Sequence, residues 1–339
     1  MKKGIIMAGI LSSFLGLFGF GDQVAKAYEP VDVYIGLRQQ VLELNPSKIG
    51  LDPLSGNKVW AVLMETGDND AVITLSAIAD GTVSLYFSNG GGMIGLGEYE
   101  EVRNVSDDYI KSASSFLEYA ELTDSFPLPS RGNTRFYFLT YSGIYAVEIK
   151  ENDLGNNKSP LSPLFHKAHE VIGQARMAYE KRTMEAQQLI SASAKGDIQE
   201  IKRLLDSGVS VDSADEMGLT PLMAAAYSGK DESVKVLLDA NSEIEDRDAE
   251  GYTALIFASN LGKIDCAELL IAKGADVNAK ANDGSTPIMF AAQHGYNEIV
   301  RLLLQKGADP SVKGDHGLSA IDFAVQNERK DTEKILIGG

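Results

Sequence analysis

Gly284-Ser285-Thr286-Pro287-Ile288-Met289-Phe290-Ala291-Ala292-Gln293-His294-Gly295 leads into Ile299, Val300, Leu302 and Leu303, and then into Gly307-Ala308-Asp309. The same pattern recurs every 33 residues. Gly218, Gly251, Gly284 and Gly317 keep that step, and each is followed two residues on by a hydroxyl: Thr220, Thr253, Thr286 and Ser319. Gly208, Asn241, Gly274 and Gly307 keep it too. A fixed period of this size predicts stacked units, none able to bury its apolar face alone. It also turns expectation toward binding rather than catalysis.

Each position has a physical reason. The Thr hydroxyl can accept an orphan N–H at a helix start, and Pro221 and Pro287 lack only a donor the first turn could not use. The Ala225–Ala226 and Ala291–Ala292 pairs let neighbouring helices approach. Gly229, Gly262 and Gly295 suit a left-handed turn into a second helix. Its apolar stripe is Leu237–Leu238, Leu269–Leu270 and Leu302–Leu303. Asn241 replaces Gly at one helix end, which fits because Asn tolerates the left-handed conformation.

This pattern, with its core at Thr220-Pro221-Leu222-Met223-Ala224-Ala225, resembles the ankyrin repeat. The resemblance implies an all-α solenoid over 183–339, with about five units including caps. It further implies a protein partner bound through finger tips and the exposed side of the first helices. Stepping by the period, the candidate contact residues are Glu216, Met217, Tyr227 and Ser228, then Ala249, Glu250, Asn260 and Leu261, then Asn282, Asp283, Gln293 and His294. His294 also fits the repeat pattern, where a structural role is the alternative. Tyr252 adds an exposed-aromatic candidate, and with Tyr227 it is the favoured hot spot. Phe257, Phe290 and Phe323 are spaced alike, and their position is expected to pack within the stack.

The ends read as caps. Residues 185–207 keep the helix–turn–helix pattern without the Thr-Pro start, and Glu185, Gln187, Gln188 and Lys195 make that helix polar. Glu328 stands where Gly is expected, in the charged run Glu328-Arg329-Lys330-Asp331. Terminal repeats face water on one side, so polar departures belong there.

The 339 residues leave room for about two domains. A single cysteine, Cys266, excludes an intramolecular disulfide framework and a Cys-rich metal site. The net charge of −17 is uneven: eleven acidic residues between Asp212 and Glu250 face only Lys230, Lys235 and Arg247. This opposes nucleic-acid binding, which wants a basic stripe. It fits either a partner with a basic surface or a solvated acidic face.

At the start, Lys2 and Lys3 precede an apolar run from Ile5 to Phe20, and Ala25-Lys26-Ala27 offers a cleavage site. That grammar predicts a signal peptide over 1–27 and an exported (periplasmic or secreted) protein beginning near Tyr28. The alternative is a cytoplasmic protein started at Met7 with a short apolar leader. No later segment is long and apolar enough to span a membrane.

Residues 28–182 carry no repeat and need their own core. Val31–Leu44 reads as a helix, Val59–Glu65 and Ala71–Ala79 as strands, and Asp80-Gly81 as a hairpin turn into Val83–Phe87. Glu98–Leu122 reads as a helix. Phe136–Leu139 and Ile144–Ile149 form a hairpin around Ser142-Gly143, and a long helix runs from about Leu164 to Arg182. The fold class expected is an α+β N-terminal domain on an antiparallel sheet, followed by the all-α solenoid. The element order is similar to the roadblock or profilin-like arrangement, a likeness that implies no function.

Motifs for chemistry are weak. Gly90-Gly91-Gly92-Met93-Ile94-Gly95 matches the spacing of a dinucleotide loop, but the preceding strands look antiparallel and Glu98, Glu100 and Glu101 would repel an anion. His166 and His169, three apart with Glu170 beside them, have a spacing that can place two metal ligands on one helix face, and no third ligand is evident. Asp246–Glu250 starts like a calcium loop, but Phe257 stands where the closing Glu is needed. No catalytic residue, cofactor or metal is therefore assigned. The expected function is a non-enzymatic adaptor. The alternative is a ligand-sensing or enzymatic α+β domain with the repeats as targeting module.

Overall fold

The computed structural model describes residues 30–51, 59–68 and 70–338. The expectation for 1–27, together with the choice between Tyr28 and Met7 as a start, lies outside them. The chain divides into two compact units, Met1–Glu180 and Lys181–Gly339.

The first unit is built on a seven-stranded sheet with every pair antiparallel, in the order β4-β3-β2-β1-β6-β7-β5. The strands are β1 (Val59–Gly67), β2 (Val72–Ile78), β3 (Val83–Phe87), β4 (Gly92–Met93), β5 (Glu121–Thr123), β6 (Asn133–Thr140) and β7 (Gly143–Lys150). β1, β2 and β3 are buried along their whole length, their polar residues Glu65, Thr66, Thr74, Ser76 and Ser84 included.

The two faces still differ. Val62, Met64, Leu75, Leu85, Phe136 and Phe138 join one core, with α2 (Glu100–Ala113) and, after the short α3 (Glu151–Gly155), the start of α4 (Ser162–Lys195) packed against it. α2 contributes Val102, Tyr109, Ile110 and Ala113, a helical-period stripe. α4 contributes Leu164, Phe165, Ala168, Val171 and Ile172. On the other face Trp60, Ala61, Leu63, Ile78, Tyr137 and Leu139 cluster with Leu42 of α1 (Asp32–Leu42).

The Asp80-Gly81 turn forms as expected: the Asp80 carboxylate accepts the Thr82 amide at 2.8 Å, and Gly81 has φ 93°. Two helix expectations need correction. The helix predicted over Glu98–Leu122 ends at Ala113; a 3-10 segment, Ser114–Tyr119, follows, and then β5. Pairing decides this, because Glu121–Thr123 add to the edge of β7 and the Ser114 hydroxyl accepts the Val59 amide at 3.2 Å. The helix expected to stop near Arg182 continues to Lys195, with no Gly or Pro between those two residues to interrupt it.

The second unit is all helical. Its helix pairs are Ile198–Asp206 after the end of α4, Pro221–Ser228 with Asp231–Asp239, Ala254–Asn260 with Ile264–Ala272, Pro287–His294 with Asn297–Gln305, and Ala320–Gln326 with Lys330–Gly338. The caps follow the sequence logic. Thr220 accepts the Met223 amide, Thr253 the Ile256 amide and Ser319 the Asp322 amide. Gly229, Gly262 and Gly295 have φ of 66°, 70° and 78°; a Cβ on Gly262 would lie 2.7 Å from the Tyr296 ring. Asn241 and Glu328 take the same left-handed conformation without being glycine, at φ 62° and 56°. One continuous apolar core runs from Leu189 to Leu336.

Candidate partner-binding face

The finger loops are tied to one another by two ladders in register with the repeat. In the first, the Ala249 amide donates to the Met217 carbonyl (2.8 Å), the Asn282 amide to Glu250 (2.9 Å) and the Asp315 amide to Asp283 (2.8 Å). In the second, a side chain accepts from the next loop. The Asp212 carboxylate takes the Glu243 amide and the Ser242 hydroxyl (2.9 and 2.8 Å). Glu245 takes the Asp276 amide and Asn278 the Asp309 amide, both at 2.9 Å. Asp215 and Asp248 each fold their own fingertip by accepting two amides: Met217 and Leu219 for Asp215, Glu250 and Tyr252 for Asp248.

Several acids of the Asp212–Glu250 run are therefore parts of the scaffold. They still repel one another. Burial, then Asp212 and Glu243, hold the Asp246 carboxyl above the usual range.

The candidate contact residues fall in two places. Glu216, Met217, Ala249, Glu250 and Asn282 are exposed on the finger tips, with Met217 55 % exposed; Asp283 is half-buried there and accepts the Ser285 amide and hydroxyl. Tyr227, Ser228, Asn260, Leu261, Gln293 and His294 are on or beside the ends of the first helices. Tyr227 and His294 are exposed; the other four are half-buried. His294 shares a hydrogen bond with Asn260 of the preceding repeat at 3.1 Å and lies by the Tyr296 ring, so its nitrogen has a structural bond as well as an exposed ring.

Two aromatic expectations change. Tyr252 is half-buried rather than exposed, because it sits between Phe257 (5.5 Å between centroids) and Phe290 (5.3 Å), steeply inclined to both rings. Phe257 and Phe323 pack against the core of the stack as expected, but they and Phe290 are half-buried rather than enclosed. Tyr227, 54 % exposed, meets Phe257 at 5.8 Å. The first full repeat carries Ala224 where the next two carry Phe257 and Phe290, and Tyr227 follows Ala224 by one helical turn. Tyr227, Phe257, Tyr252 and Phe290 thus form one partly open strip of rings. The sequence signal was present in the 33-residue row of Phe; the contribution of Tyr252 from a different repeat position was not.

The weaker motifs resolve into structure. Gly92 is in the short edge strand against β3, and a Cβ there would lie 2.7 Å from the Leu85 carbonyl oxygen. The Gly run is thus a tight turn and close strand contact, and the element after it is a 3-10 turn, Leu96–Glu98. His166 bonds the Asn157 side chain at 2.9 Å. His169 is packed on Phe165 and bonds its carbonyl at 2.9 Å. Among the described residues, no group of three or more His, Cys, Asp or Glu is placed to hold a metal. Cys266 is buried in a repeat helix; burial, then Asp231 and Asp265, push its thiol up to about 11. No helix among the described residues is long and apolar enough to cross a membrane.

Residues 189–281 match a family model described as ankyrin repeats (3 copies), and residues 270–324 one described as ankyrin repeats (many copies). The C-terminal unit is therefore an ankyrin-repeat solenoid, and its repeats are of the kind that generally mediates protein–protein interaction. Neither match reaches the sheet-containing unit. No curated protein matches the chain.

Proposed function

We propose that the chain is a non-catalytic adaptor whose ankyrin unit holds a protein partner against the finger tips and the exposed side of the first helices. The observation that carries this reading is the Tyr227–Phe257–Tyr252–Phe290 strip. It leaves large aromatic area partly open on the first-helix side: Tyr227 is 54 % exposed, and Tyr252, Phe257 and Phe290 are half-buried in contact with it or with one another. The acidic balance supports a protein rather than a nucleic acid as the partner.

A photo-crosslinking side chain at Tyr227 of the full chain tests the face, with the same group at Glu298, exposed on a second helix, as control. Partner crosslinked from 227 and not from 298 is expected; equal crosslinking from both counts against the reading. Export rests on the leader grammar alone, and N-terminal sequencing of the purified protein decides it. A first residue of Tyr28 supports cleavage, and Met7 supports the cytoplasmic alternative.

A further inference from the structure

We propose that the ring strip is a track for a cationic peptide segment, whose Arg or Lys groups lie on the Tyr227 and Tyr252 rings while Glu250 and Asp283 balance their charge. This rests on the first-helix and fingertip face being the binding face, and adds the chemistry of what it binds.

Three observations converge. First, successive rings meet edge-to-face, with interplanar angles of 71°, 73° and 69°, rather than as a flat stack. An edge-to-face contact covers one ring face where a flat stack covers two, and a cation over an open face is attracted by the ring quadrupole. Second, three carboxylates act on the central ring. Burial, then Asp283, Asp248 and Glu250, raise the Tyr252 hydroxyl above its usual range. Third, that charge is not neutralised from within. Among the described residues Glu216, Asp248, Glu250 and Asp283 are in no ion pair. Arg247, in the same finger loop as Asp248 and Glu250, gives its guanidinium to the carbonyls of Lys280 and Gly251.

These facts separate the possible occupants. A purely apolar segment would cover the rings but strip water from the exposed Glu216 and Glu250 carboxylates, which costs free energy without return. A phosphate backbone would be repelled. A basic segment satisfies rings and carboxylates together.

The probe is a fluorescently labelled peptide alternating Arg with Ser, compared with one alternating Glu with Ser, titrated by anisotropy against the full chain. The Arg peptide is expected to bind, and to weaken as salt rises; the Glu peptide is not. Tyr252→Leu should weaken the Arg peptide roughly fivefold, while Tyr252→Phe, which keeps the ring, stays within about twofold. Glu250→Gln, on an exposed side chain, should weaken it by about two- to fivefold. Thermal melts of each variant establish that the stack is folded. Equal binding to the wild type and to folded Tyr252→Leu would overturn the track, as would no preference for Arg over Glu. If the Arg peptide fails while position 227 still crosslinks a partner, the cationic inference falls and the adaptor reading stands. If both fail, the face itself is wrong.

Discussion

Arg38 of α1 reaches the middle of the sheet and grips Glu65 of β1 with two hydrogen bonds, Nε to Oε1 at 2.6 Å and Nη2 to Oε2 at 3.0 Å. Glu65 is wholly buried, and the Arg38 side chain is 11 % exposed. Around the pair, Arg38 also reaches the Tyr137 hydroxyl, which donates to the Pro127 carbonyl at 2.7 Å, and Tyr34 bonds Thr74 at 3.0 Å. α1 buries only Tyr34 and Leu42 and leaves Val33 and Ile35 exposed. The polar grip is therefore a large part of what fixes this helix.

Removing one partner strands a buried charge. Arg38→Met is expected to cost about 3–5 kcal/mol in urea unfolding. The double variant Arg38→Met with Glu65→Leu should recover most of that loss, because neither charge is then left unpaired. A double variant no more stable than the single one would show that the pair contributes shape rather than charge balance.

His169 is expected to make stability pH-dependent. Burial, and less strongly the neighbouring His166, lower its pKa, while its Nε2 is buried without a partner. A depressed folded-state pKa means the unfolded chain takes up the proton first. Its contribution is therefore complete above the unfolded value of about 6.5 and is lost as pH falls below it. Denaturant midpoints at pH 7.5 and 5.5 should differ in the wild type and differ less in His169→Leu.

Asp212 separates a ladder contribution from a charge contribution. Asn278 performs the same bond without charge, so Asp212→Asn should keep the Glu243 contact and relieve Asp246, for a gain of about 0.3 kcal/mol. Asp212→Ala should instead cost about 1–2 kcal/mol, since two donors lose their acceptor. Chemical unfolding of the two variants side by side checks the order.

Glu328 occupies the left-handed position that Gly229, Gly262 and Gly295 hold in earlier repeats. Glu328→Gly should stabilise the last repeat by about 1 kcal/mol, seen as a higher thermal midpoint. No change would mean that the gain in unfolded-chain freedom cancels the relieved strain.

How much of this could be read beforehand depended on whether the deciding contact was local. The repeat was legible because its capping Thr, turn Gly and Leu pairs act within one unit and recur. The Asp80-Gly81 and Ser142-Gly143 hairpins were legible for the same reason. β5 was not: Glu121–Thr123 become a strand only because β7 offers an edge, against a run whose Phe116 and Leu117 continue the helical pattern. The Arg38–Glu65 grip left a trace, a lone carboxylate at the end of the apolar run Val59–Met64, but its partner lies 27 residues away on another element. At the proposed face the period marked out the finger loops and first helices, yet it treated each row separately. The strip arises where two rows meet, Tyr252 from one and Phe257 with Phe290 from the other.

The ladder of Asp212, Glu245 and Asn278 gives the stack a direction. In each step the earlier loop supplies a side chain and the later loop supplies a main-chain N–H. The row stops at Ser311, which bonds Asp309 of its own loop instead. Detaching the last unit releases a side-chain acceptor that can swing into water. Detaching the first releases an amide fixed in a turn, whose freedom to find a new partner is smaller. The two ends are thus unequal, and fraying should advance from the Gly338 end inward, leaving the Tyr227–Tyr252 region among the last parts of the array to open.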